Sequence, residues 1–444
     1  MSRRMFFLSL AVCLPRLWRD PAFKYFLIVV AGLLAASAAH AAELPAGVFQ
    51  MHDGAYFYPR TGFVTSHLDE MVAQIGSVMQ ERISASAPPI LSVIHRARQL
   101  LSATTTPPRV ETSDTGWRTV TLALWNQTTS TDVGAIRTIT FEKKGTKIHA
   151  LSDSIRGIRV VRSNGVNSEF AVEGGDVVVA IRYPIYTDKK GSKHKMVYDV
   201  TDVVYTPYSR ALHTREMVME GKRWFHDLIS RVFDALRKES IPSRAFPNTL
   251  LADAVDPAFV ATIALIEHLD DRALRQDALR QIEAFYVTLA ANEDDAYDFS
   301  RSKAGALGLV QFMPKTYAAL TRWPNLNLEK NFEKGMRDPT NAIRAQVAYL
   351  DYLLSRLPDE AMVATTTQRK KSHEYVAAAY NGGATRVAHA MSAWEENLDP
   401  NERQRVKNRS RLKLETMKYV LKLREVRAAF SAILPSSSST QQEK

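Results

Sequence analysis

Three short stretches of the chain carry residue types and spacings suited to chemistry. Ser302 to Pro314 (Ser-Lys-Ala-Gly-Ala-Leu-Gly-Leu-Val-Gln-Phe-Met-Pro) has two glycines and small residues that permit close backbone approach, just before a proline-started helix. Ala378-Ala379-Tyr380-Asn381-Gly382-Gly383 closes one helical run, and Glu415-Thr416-Met417-Lys418-Tyr419-Val420 sets a carboxylate in a basic one. Each also has a bland reading. Asn-Gly-Gly ends helices, a glutamate among lysines is a solvated partner, and Met313 and Tyr419 fit simple core packing. The single cysteine, Cys13, lies in the first stretch of the chain, so no thiol chemistry is expected beyond it. There is no His-x-x-x-His pair and no EF-hand spacing, and neither metal nor cofactor is expected.

The order and spacing of these stretches resemble the soluble lytic transglycosylase (SLT) catalytic domain of the goose-type lysozyme superfamily. That family's pattern runs Glu-Ser, Ser-x-x-Gly-Ala-x-Gly-Leu-Met-Gln-x-Met-Pro, Ala-Tyr-Asn-x-Gly and Glu-Thr-x-x-Tyr-Val. The last three elements occur here in order, with Asp338-Pro339-Thr340-Asn341 matching the helix start between them. The resemblance spans about residues 256–425 and implies an all-α lysozyme-like domain that cleaves the β-1,4 bond between N-acetylmuramic acid and N-acetylglucosamine in peptidoglycan. Ordinary glycosidases need two carboxylates. In this family one glutamate protonates the glycosidic oxygen, then takes the proton of the muramic C6 hydroxyl as it closes onto C1, giving a 1,6-anhydro ring. Such a glutamate starts protonated, which requires an apolar setting that raises its pKa. Carried over by position, Ser302 and Gln311 would place hydrogen-bonding groups near the scissile sugars and Met313 would line the cleft. Tyr380 and Asn381 would face the glutamate, the tyrosine hydroxyl being available to the carboxyl or to the substrate, and Glu415 would close the far side of the groove.

The usual Glu-Ser pair is absent. Glu267 ends the apolar run Phe259 to Ile266, as the family's acid does, but His268 replaces the serine and 35 positions separate it from Ser302, where the family usually has nine. Glu293 has the spacing of nine but stands among Asn292, Asp294, Asp295 and Asp298; Glu283 is a third candidate. Glu267 is the preferred acid, and an inserted helical hairpin from Asp271 to Ala291 would reconcile it with the rest of the pattern. His268 reads as a helix-end residue. A hydrolase of the same fold would need a second carboxylate, for which Asp270 and Asp298 are available.

The elements that must position these residues divide the chain. Trp117 to Tyr208 shows β-branched runs broken by turns, about six strands of a mainly antiparallel domain. Helices are expected at Ser66 to Ile83, Pro89 to Leu101 and Arg210 to Lys238, with Thr104 to Gly116 a loop, Ser240 to Asp256 a boundary, and everything beyond helical except a polar break at Thr365 to Ser372. The fold class is therefore α+β: a signal at 1–41, a helical segment at 42–104, a β-rich accessory domain with its closing helix at 105–240, a lysozyme-like domain at 256–430 and a disordered tail at 435–444.

The uncharged run Tyr25 to Ala42, ending in Ala39-His40-Ala41, reads as a secretory signal, with an uncleaved anchor as the alternative. Ser2-Arg3-Arg4-Met5-Phe6 also has the look of a twin-arginine signal, although the main apolar run starts well downstream. The formal charge of +11 falls to +7 without residues 1–41. A basic protein in the periplasm or envelope suits anionic wall polymers. The expected partners are peptidoglycan glycan strands, an envelope protein through the β-domain and weak membrane association, with no nucleic acid. The alternative to an enzyme is a non-catalytic peptidoglycan-binding or scaffold protein with a degenerate groove.

Overall fold

A computed structural model describes residues 90–126, 135–151, 157–189, 197–356, 366–392 and 413–433. The leader, the expected helix Ser66 to Ile83, the Ala42 cleavage point and the tail lie outside the described residues. Helix α1 (Ile90–Ser102) is followed by strands β1 (Arg109–Glu111), β2 (Arg118–Asn126), β3 (Arg137–Lys144), β4 (Lys147–Ala150), β5 (Ile158–Arg162), β6 (Glu169–Val172), β7 (Asp176–Lys189) and β8 (Val197–Tyr205). Helices then follow: α2 (Arg215–Lys238), α3 (Leu251–Ala254), α4 (Pro257–Ile266), α5 (Asp271–Gln276), α6 (Ala278–Asn292), α7 (Pro314–Leu320), α8 (Phe332–Arg337), α9 (Pro339–Leu354), α10 (Thr366–Gly382), α11 (Ala384–Ser392) and α12 (Leu414–Ile433). The α+β class read from the sequence is the class observed.

Six strands form one antiparallel sheet in the order β1-β8-β7-β2-β3-β4, and β5 pairs with β6 in a separate ribbon. Two of these strands, β1 and β6, go beyond the expected six. β1 is a three-residue edge strand inside the expected loop, too short for alternation to show. The alternating side chains of β2 feed two cores. Val120, Leu122 and Leu124 pack with the ribbon, whereas Ala123 and Trp125 join α1 and the helical half.

The expected division at 240–256 is not a break in packing. Helix α2, grouped with the β-domain from its sequence, lies instead along α6: Gly221 sits against the Tyr286 carbonyl, and Phe225 meets Phe285 edge-on at 5.4 Å. The segment after α2 is also fixed. The buried carboxylate of Asp351 on α9 accepts from Ser243 Oγ at 2.6 Å and from the Arg244 amide at 2.7 Å. Sheet and helices are joined by buried Asn292 at the end of α6, whose side chain accepts from Thr206 N at 2.8 Å and donates to Thr206 O at 2.9 Å. From α1, Arg98 donates to the Ala291 and Asn292 carbonyls, supplying partners to the open C-terminal end of α6. Finally, α10 begins at Thr366, inside the expected polar break.

A Cβ at Gly221 would stand 1.9 Å from the Tyr286 carbonyl oxygen. Gly221→Ala should therefore force α2 off α6 and destabilise the protein by at least the ~1–3 kcal/mol typical of overpacking. Hydrogen exchange should show β2 and α9 losing protection together. Protection lost in the helices alone would mean that the sheet is an independent unit.

Candidate active site

The site grows from α4, a helix apolar on nearly every side. Asp256 caps it by accepting from Ala258 N at 2.9 Å, Pro257 occupies the first turn, and Phe259, Val260, Ile263, Ala264, Leu265 and Ile266 are buried. A helix of this kind must run through the interior, and the residue that follows its last turn is Glu267. The Glu267 side chain keeps slight solvent contact but is otherwise enclosed. Enclosure pushes its pKa up to about 7; the Tyr419 hydroxyl, which donates to Oε1 at 2.6 Å, and the Lys422 ammonium pull in the opposite direction, and the nearby Glu415 carboxylate adds to the rise.

Tyr419 and Lys422 come from α12, and with Glu415 they fall at i, i+4 and i+7 on one helix face. Lys422 holds that face in place by donating to the Leu269 carbonyl and pairing with Asp271 at 3.0 Å. Further along, Arg424 makes a two-pronged bond to Glu374 at 2.8 and 2.7 Å, and Arg427 reaches His373, which stacks on Phe259 at 4.0 Å. Thr416 donates to the Asn381 side-chain oxygen at 3.0 Å where α12 passes Gly382; a Cβ at Gly382 would lie 2.6 Å from Thr416 Oγ.

The loop 302–313 is tied to the same place by two side chains that capture successive carbonyls. His268 Nε2 donates to Leu309 O at 2.8 Å and Tyr380 donates to Val310 O at 2.7 Å. His268 stacks on Tyr297 at 3.8 Å, and burial drives its pKa down to about 4, so it is neutral and donates through Nε2–H. Gly308 (φ +78°) lies so close to α8 that a Cβ would meet the Met336 carbonyl at 2.3 Å. Gln311 also has a left-handed backbone (φ 49°), held by its amide donating to Ser300 O and Gly308 O, both at 2.8 Å.

The three stretches singled out by sequence therefore meet around Glu267, with several roles differing from those the resemblance implied. The carboxyl's partner is Tyr419 rather than Tyr380, whose ring packs on Phe312 and Tyr349 while its hydroxyl serves the loop. Asn381 is bonded to Thr416. Ser302 closes its own turn, its hydroxyl accepting from Ala306 N at 2.9 Å. Met313 is 38% exposed and is not core, whereas Tyr419 is buried yet does more than pack. Glu415 is exposed. Of the rival acids, Glu293 pairs with His95 of α1 at 3.5 Å on the surface, and Glu283 accepts from His213 at 3.0 Å. Asp270 caps α5. Asp298 is raised to about 7, first by burial and then by Asp295. No group of three or more potential metal ligands is found among the described residues.

Residues 276–401 match the transglycosylase SLT domain family. The match is consistent with a lysozyme-like lytic transglycosylase domain and supports a peptidoglycan-related function, with peptidoglycan as substrate. It contains the loop at 302–314 and the Tyr380-Asn381 stretch, while Glu267 precedes it and Tyr419 follows it. No curated protein matches the chain.

In the folded protein Glu267 titrates near 7, against 4.5 for the free side chain. Between these values the folded state holds a proton that the unfolded state has lost. The resulting stabilisation is complete below 4.5 and fades as pH rises through 7, a difference on the order of 3 kcal/mol. Glu267→Gln removes this titration, so its melting temperature should gain on the parent between pH 5 and pH 8. A constant difference across that range would show that Glu267 titrates normally.

Proposed function

We propose that the protein is an exported peptidoglycan lytic transglycosylase in which Glu267 is acid and then base. One observation carries this reading: an enclosed carboxyl, raised to about 7, stands where three separate sequence stretches converge. A carboxyl in that range is partly protonated at neutral pH and can release and recover a proton without a large penalty either way. Glu267 would give its proton to the glycosidic oxygen as the C1–O bond breaks. Its carboxylate would then take the proton of the muramic C6 hydroxyl as that oxygen bonds to C1, closing the 1,6-anhydro ring. The Tyr419 hydroxyl, by donating to the carboxylate, would stabilise the charged form between the two transfers.

Glu267→Gln keeps size and hydrogen-bonding capacity but removes the transferable proton, so cleavage of purified sacculi should fall by ~100-fold to 10,000-fold. Glu293→Gln, changing a surface partner of His95, should cost little. Mass analysis of the products should show fragments lighter by one water than hydrolysis would give. Fragments of hydrolytic mass would replace the transglycosylase with a hydrolase. An active Glu267→Gln with an inactive Glu293→Gln would move the acid to the position of nine-residue spacing, and an inactive parent would favour the binding-protein reading.

Tyr419→Phe removes a donor that lowers the Glu267 pKa. The pKa should rise, and the alkaline limb of the cleavage profile, where the protonated acid is lost, should move to higher pH. An unmoved or lowered limb would separate Tyr419 from the titrating group.

Export rests on the Ala39-His40-Ala41 pattern after an uncharged run. N-terminal sequencing of the envelope fraction should return Ala42 as the first residue. An intact leader there would make the protein an anchored one.

A further inference from the structure

Where the 3-10 turn Arg210–Leu212 faces the start of α6, a cavity of about 370 Å³ is lined by Arg210, His213, Asp277, Leu279, Arg280 and Glu283. The loop-side floor is a hydrogen-bonded series: Tyr208 Oη and His213 Nδ1 are 2.8 Å apart, and His213 Nε2 and Glu283 Oε2 are 3.0 Å apart. Two consequences for charge follow. Each acid is engaged on one oxygen only, Asp277 Oδ1 accepting from the Arg280 amide at 3.0 Å to cap α6 and Glu283 Oε2 lying 3.0 Å from His213 Nε2. The guanidiniums are not paired: among the described residues neither Arg210 nor Arg280 has a carboxylate within 4.0 Å, although two acids line the same cavity. Leu279, 42% exposed, adds an apolar shoulder.

Unpaired guanidiniums favour a carboxylate, which their planar forks can grip. A dianionic group such as phosphate would be set against Asp277 and Glu283, which retain free lone pairs suited to an ammonium. We propose that this cavity binds a zwitterionic α-amino-acid head group, with its carboxylate between Arg210 and Arg280 and its ammonium toward Asp277 and Glu283. Resting on the peptidoglycan reading above, the source is the free end of a diamino acid side chain in an uncrosslinked stem peptide. Crosslinking through that amine turns it into an amide and removes the charge that the acids would meet. The cavity would thus favour wall regions whose peptides are not yet joined. Asp277, Leu279, Arg280 and Glu283 all belong to the segment that lengthens the Glu267 to Ser302 interval, so the additional helices would supply a second contact to the substrate, through its peptide.

The test is calorimetric titration of the full mature chain with the tripeptide L-Ala-γ-D-Glu-meso-diaminopimelate, with the same peptide acetylated on the terminal side-chain amine, and with inorganic phosphate. The free tripeptide should bind, the acetylated one about tenfold more weakly or worse, and phosphate should not compete. The double variant Arg210→Gln/Arg280→Gln should lose the tripeptide by a similar factor while cleaving peptide-free glycan strands at the parent rate, which reports that it is folded. Equal binding of free and acetylated peptide, displacement by phosphate, or undiminished binding by the variant would overturn the proposal. Binding and cleavage are read separately. Tripeptide binding by a protein inactive on sacculi would remove the enzyme and leave the cavity's ligand standing, and cleavage without tripeptide binding would do the reverse.

Discussion

The arrangement depends on keeping one carboxyl out of water without leaving it unpartnered. Glu267 follows the last turn of an interior helix, and burial keeps most water from its carboxyl. In such surroundings an isolated carboxylate is costly, and the remedy here is one short bond from Tyr419, not a salt bridge. A full ion pair would drag the pKa down and leave the group charged at neutral pH. A phenol offers a donor without a charge, and the nearest ammonium, on Lys422, is spent on Asp271 and a backbone carbonyl. The balance leaves the group near 7.

That balance requires α12, which lies 152 positions along the chain from Glu267. Several bonds of different kinds set its position: Lys422 to the α4–α5 link, Arg424 to Glu374, Thr416 to Asn381, and the close passage at Gly382. Only the last depends on a small residue. A side chain there would lift α12 and separate the phenol from the carboxyl. The same logic applies on the other wall, where His268 and Tyr380 hold the Leu309 and Val310 carbonyls and so fix the loop by its backbone. Residues expected to touch sugar, Ser302 and Gln311 among them, are already committed to shaping that loop. Their place in the pattern is explained by the geometry they impose, whatever they add on binding.

Much of this was legible in the sequence, unevenly. The strands are legible as β-branched runs broken by turn residues, and β2, β3, β7 and β8 fall on those runs; β2, with side chains in a core on either face of the sheet, is an almost unbroken apolar run for that reason. The convergence of three stretches was legible as motif order. The partner of Glu267 was harder: Tyr419 on its own is indistinguishable from a core aromatic, and the signal available was its i+4 spacing from Glu415 and i−3 from Lys422. The contacts of the segment 240–256 are not legible, because prolines and mixed polarity describe a segment's local habit and not its partners. Asp351, a carboxylate on α9 more than a hundred positions away, clamps it, and nothing near Ser243 advertises such a partner.

The unusual interval between Glu267 and Ser302 is explained by the same long-range contacts. Helices α5 and α6 fill it, and α6 becomes the surface on which α2, α1 and the end of β8 are assembled. Added residues of this length would ordinarily push the carboxyl and the loop apart. They do not, because His268 bridges the gap directly to Leu309, is kept neutral by burial and stacks on Tyr297, which lies between the end of α6 and Ser302. A charged imidazole would be poorly tolerated in that setting, whereas a neutral one with Nε2–H donating supplies the tie that spacing no longer provides. The long interval between Glu267 and Ser302 and the histidine that bridges it are thus parts of one packing solution, which also joins the sheet to the helices that hold Glu267.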